Sequence, residues 1–106
     1  MAYIDPKKVD SPRANWKLIE VLRNGENGNG DGDAALAIGE WDDGEGLNRV
    51  LAVRWNGQSS DDRGVGNPQS RGLPTWFIVP YWMNEAIING NVIPDEKRAL
   101  AAALMA

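Results

Sequence analysis

Residues 36–57, LAIGEWDDGEGLNRVLAVRWNG, hold two short apolar runs, each ending in a tryptophan followed by Asp or Asn. A turn rich in glycine and aspartate joins them. In Leu36–Trp41, Leu36 and Ile38 fall on one side and Ala37, Gly39 and Trp41 on the other. In Arg49–Trp55, Leu51, Val53 and Trp55 oppose Val50 and Ala52. A period of two is the period of a strand. The stretch therefore predicts an antiparallel hairpin, against which the rest of the chain must pack or from which it must hang. The connection Asp42–Asn48 is longer than a two-residue turn, which leaves the register open. Glu40 and Arg54, beside the tryptophans, are candidates for a cross-strand ion pair, a contact worth little where it is exposed.

The flanking segments are read by the same rules. Trp16–Arg23 is strand-like, with Trp16, Leu18 and Leu22 on one face and Ile19 and Val21 on the other. Asn24–Ala34, NGENGNGDGDA, is a loop, because clustered glycine and asparagine hold no regular element. Gln58–Pro74 is a second long loop, and Thr75–Val79, between two prolines, is a fourth strand. Pro80 suits the start of a short helix, PYWMNEAII, with Gly90 as its C-terminal cap. Pro94 opens another, PDEKRALAAALMA, with Asp95 and Glu96 where the helix dipole favours acids and with Leu100 and Leu104 turned inward. Residues 1–15, with Pro6 and Pro12, read as an arm, and residues 16–106 as one globular domain, since 106 residues can bury one modest core. Strands first and helices last predict an α+β fold: an antiparallel sheet of about four strands followed by two C-terminal helices, with a curved, SH3-like sheet as the variant.

Composition narrows the chemistry. The chain has no cysteine, which excludes disulfides, thiolate metal sites and thiol catalysis, and no histidine, which excludes imidazole acid–base work and histidine-ligated metals. The expectation is a protein without a cofactor that is not an enzyme. The net charge of −4 is unevenly spread: residues 24–62 carry nine acids and two bases. No basic stripe is visible, so nucleic acid is not an expected partner. No apolar run reaches the length of a membrane span, and the first residues lack the apolar core of a signal peptide, so a cytoplasmic protein is expected.

Three motifs can carry function. Asn27–Asp33 resembles part of an EF-hand loop, but the position that should hold a bidentate glutamate is Ile38. A plain loop is the main reading there, and a non-EF calcium site on Asp31 and Asp33 the lesser one. The loop containing Arg63, Asn67, Gln69, Ser70 and Arg71 gathers anion-binding and hydrogen-bonding groups between glycines and a proline, without matching a phosphate-binding fingerprint. Trp41 and Trp55, at strand ends, are candidate stacking platforms, with Trp76 and Trp82 behind them, although most of the five tryptophans are expected in the core.

The segments GEWDDGEGLNRVLAVRWNG and GNPQSRGLPTWFIVP resemble small bacterial proteins of unassigned function, over about residues 14–80. The resemblance implies a prokaryotic protein, of a phage or other mobile element in one version, and supplies no catalytic residues. The reading preferred here is a non-enzymatic interaction module that binds a protein partner or itself through the hairpin end and the loop at 64–74. The alternatives are an anion or small-ligand binder using Arg63, Ser70 and Arg71 with Trp41 or Trp55 as a wall, and an acidic inhibitor whose nine acids form one face.

Overall fold

The computed structural model describes residues 5–25, 34–56, 66–71 and 73–106. Strands β1 (Trp16–Arg23), β2 (Ala34–Asp42) and β3 (Leu47–Trp55) run antiparallel in sequence order. A short ribbon follows, β4 (Gln69–Ser70) with β5 (Leu73–Pro74), and then β6 (Phe77–Ile78) joins the far side of β3. The four-stranded sheet has the order β1-β2-β3-β6. Helices α1 (Asn84–Asn89) and α2 (Asp95–Met105) close the chain. This is the α+β architecture expected. Among the described residues, no helix is long and apolar enough to cross a membrane.

The β2–β3 hairpin runs without irregularity from Ala34 opposite Trp55 to Asp42 opposite Leu47. Its turn is four residues, Asp43–Gly46, and aspartates close it. Asp42 Oδ1 accepts from the Gly44 amide at 2.9 Å, and Asp43 Oδ1 from the Glu45 amide at 2.8 Å. Asp43 Oδ2 also accepts from Asn48 Nδ2 at 3.0 Å, and Gly44 takes the positive φ of 92° that the turn requires. The Glu45 amide is the chief reason the Asp43 carboxyl sits below the ordinary 3.8. Its help to the turn is complete above the unfolded value and is lost as pH falls through the lower folded one. In an NMR titration Asp43 should show a midpoint below 3.8, tracked by the Glu45 amide shift; a midpoint at or above that value contradicts the turn geometry.

The hairpin has two apolar faces, each covered by something different. Leu36, Ile38, Leu51 and Val53 face the helices, together with Val79, Ile93 and Ala101. Ala35, Ala37, Val50 and Ala52 face Trp16, Trp76 and Val9. The small residues on this second face leave room for the indoles: Trp16 lies directly over Gly39, and the Trp16 and Trp76 rings meet at 6.0 Å between centroids, tilted by 34°. Trp76 Nε1 donates to the Val9 carbonyl at 2.6 Å, which ties the N-terminal segment onto this face. A 3-10 turn at Pro6–Lys8, capped by the Asp5 carboxylate on the Lys7 amide, precedes the buried Val9.

Several expectations are corrected by the packing. In β1 the register slips between Leu18 and Glu20 and again between Val21 and Arg23. Each slip puts an extra residue into the strand and reverses the alternation beyond it. Val21 therefore joins Trp16 and Leu18, and Leu22 joins Ile19, the reverse of a strict period of two. The cross-strand partner of Glu40 is Arg49, directly opposite it at 3.3 Å, while Arg54 is opposite Ala35 and buried. The expected fourth strand shortens to Phe77–Ile78. Thr75 instead donates its amide to the Pro68 carbonyl at 3.1 Å, and Trp76 donates its own to Ser11 at 3.4 Å.

The helical segment after Pro80 begins as a 3-10 turn, Tyr81–Met83, before α1. Gly90 ends α1 with extended backbone and not with a left-handed cap. A side chain there would press within 2.7 Å of the Ala86 carbonyl oxygen, and this crowding is what glycine relieves. In α2 the inward face is Ala101, Leu104 and Met105, spaced at helical intervals, while Leu100 is exposed.

Candidate functional site

The five tryptophans divide by position. Trp16 and Trp76 are buried, and Trp41 is half-buried against their cluster. Trp55 and Trp82 are exposed, at 57% and 71%. Most tryptophans were expected in the core, and the division has a physical cause. The Trp16–Trp76 face has small residues opposite to receive rings, whereas Trp55 lies at the last position of β3 and Trp82 in the turn before α1.

At the Trp55 end of the sheet lies an apolar groove of about 460 Å³, lined by Ala34, Val53, Trp55, Asn67, Pro68 and Phe77 together with Arg54. Each part is placed by strand pairing. Trp55 and Asn67 exchange backbone hydrogen bonds at 2.7 and 2.9 Å, which ties Asn67 to the end of β3. Pro68 follows directly and anchors Thr75 through its carbonyl. Phe77 is opposite Val53 in β6, on the same face, and is 57% exposed. Two large aromatic side chains thus stand half out of the protein, flanking aliphatic and proline carbon.

Behind the groove, Arg54 is almost wholly buried, and its Nη1 donates to the Thr75 carbonyl at 2.5 Å. Burial pushes its guanidinium down to about 10, so it remains a cation at neutral pH. It fastens β3 to the segment leading into β6 and so holds the aromatic pair in register. Asn56, also buried, donates to the Asn24 carbonyl at 2.6 Å and ties the residue after β3 to the residue after β1.

The residues expected from sequence fall unevenly on this geometry. Trp55 and Asn67 are brought together in the groove. Trp41 is not part of it: the register places Trp41 opposite Asn48, near the hairpin turn, with its ring on the other face. Ser70 and Arg71 are exposed at the tip of the β4–β5 ribbon, where Arg71 takes a φ of 54°, and neither lines the groove. Gln69 contributes its backbone to that ribbon, opposite Pro74. Arg63, and with it Asp31 and Asp33, lie outside the described residues. Of the nine acids in residues 24–62, Glu40, Asp42, Asp43 and Glu45 are described, and all sit toward the hairpin-turn end.

Val53, Pro68 and Phe77 were not anticipated as site residues. The available signal was the run TWFIV, whose alternation sets Phe77 on the opposite side from Trp76. Comparison with family models, with curated proteins and with solved structures returned no match.

Proposed function

We propose that this chain is a non-enzymatic interaction module that seats an apolar segment of a partner protein in the groove between Trp55 and Phe77. The observation that carries the proposal is the pair of half-exposed aromatic rings flanking a groove lined almost entirely by carbon. Rigid aromatic side chains give large contact area at low entropic cost and are enriched among the residues that dominate binding energy. The occupant that complements such a lining is a segment contributing leucine, isoleucine or proline side chains. An anion is poorly matched to it, because the guanidinium behind the groove is buried and directed at a backbone carbonyl.

The test is selection of random peptides displayed on phage against the full chain, followed by affinity measurements on synthetic versions of the winners. The expected winners carry apolar residues, and Trp55→Ala or Phe77→Ala should weaken them by roughly 30-fold while leaving the circular dichroism spectrum unchanged. Failure to enrich any peptide, or winners that bind both variants as tightly as the parent, would overturn the reading.

A further inference from the structure

The two long edges of the sheet are finished differently. Along the outer edge of β1, polar side chains cap two of the outward backbone groups. The Asp10 carboxylate accepts from the Leu18 amide at 3.1 Å, and the Lys97 ammonium donates to the Val21 carbonyl at 3.1 Å while also pairing with Glu20. Such capping keeps an edge strand from recruiting another chain.

The β6 side of β3 is treated otherwise. Its odd-numbered residues turn their N–H and C=O groups toward this side: the Leu51 carbonyl accepts from Val79, Val53 is paired with Phe77, and Trp55 is bridged to Asn67. The same alternation points the backbone groups of Leu47 and Arg49 outward. By then the chain has left the sheet, because Pro80 follows Val79 and leads into the Tyr81–Met83 turn. Among the described residues, no hydrogen bond is made by the outward backbone groups of Leu47 or Arg49.

We infer that this stretch of β3 pairs with the same stretch of a second copy of the chain, antiparallel about a two-fold axis through Asn48. A second copy matches this edge in spacing. Two outward-facing residues flank one inward-facing residue, so a two-fold axis through the middle one sets Leu47 against Arg49 of the other copy. All four outward N–H groups then meet all four outward carbonyls. A closed, isologous contact of this kind satisfies both copies at once.

The side chains allow it. Arg49 is already neutralised by Glu40 at 3.3 Å, and across the pair it meets Leu47, which is 67% exposed, and not another Arg49. The adjoining turn carries Gly44 and Gly46, at both of which a side chain would meet only open space. Tyr81, 84% exposed, and Trp82 lie just beyond the point where β6 ends and can add apolar cover.

Sedimentation velocity on the full chain, from micromolar to millimolar concentration, tests this together with two variants of Leu47. The parent should pass from monomer to dimer with concentration. Leu47→Pro removes one outward N–H from each copy at the first residue of a strand, where proline is tolerated, and should weaken the dimer by at least about tenfold. Leu47→Thr keeps the backbone donor and should dimerise within a few-fold of the parent. In the parent, amide exchange at Leu47 and Arg49 should slow as concentration rises. A parent that stays monomeric throughout overturns the inference, and so does a dimer that Leu47→Pro leaves unchanged or one that forms without protecting those two amides.

Discussion

Replacing Gly39 by alanine should destabilise the protein by about 2 kcal/mol or more, and replacing it by valine should leave little of it folded. Strand propensity on its own predicts the opposite sign, since glycine inside a strand costs about 0.5–1 kcal/mol relative to alanine. The packing decides the matter. A Cβ at Gly39 would lie 2.2 to 2.6 Å from three atoms of the Trp16 six-membered ring. That ring is buried, lies against Trp76, and belongs to a cluster sealed by Val9 and the alanines of β2 and β3. It cannot swing aside as an exposed side chain does, so the added carbon must displace the indole or part the strands. Urea denaturation gives the sign directly. In a Trp16→Leu background the alanine should cost much less, a coupling of about 1–3 kcal/mol between two residues in contact. A stabilising Gly39→Ala would show that the ring is not held where the packing places it.

Truncating Arg54 should be the second large effect. Arg54→Ala removes one of the largest fully buried side chains and leaves the Thr75 carbonyl without its donor at 2.5 Å. A loss of about 3–5 kcal/mol is expected. Arg54→Met should cost clearly less. A methionine fills most of the same volume and carries no charge into the interior, and the saving on desolvation offsets part of the lost hydrogen bond. Denaturant midpoints for the two variants should therefore be well separated, with alanine the worse. Equal and small losses would mean that the guanidinium is neither buried nor bonded as described. The same experiment bears on the groove, because Arg54 joins β3 to the segment that delivers Phe77.

The fold was legible where local rules act alone. The hairpin strands showed their period of two, the aspartates and glycines of 42–46 marked a turn, and Pro80 and Pro94 each preceded a helical segment. It was illegible where a neighbour decides. The slips in β1 reverse which of Val21 and Leu22 faces the indoles, and no residue type in WKLIEVLR announces them. The burial of Arg54 depends on Thr75, twenty-one residues away, whose carbonyl receives it.

The candidate site was half visible for the same reason. Trp55 and Asn67 could be picked out as residue types, but their meeting depends on a backbone bridge across the intervening chain. Trp41 and Trp55 look equivalent as strand-end tryptophans. The register separates them, setting one on the small-residue face near the hairpin turn and the other at the far end beside Phe77.

The central claim is that Trp55, and not the buried indoles, meets the partner. It is tested most directly by following the five tryptophan indole N–H signals of the 15N-labelled chain while an apolar peptide from the selection is added. The Trp55 signal should shift in proportion to saturation, with the signals of Trp16 and Trp76 unmoved. A peptide that binds while leaving the Trp55 signal in place, or that moves the Trp16 and Trp76 signals instead, would contradict the account.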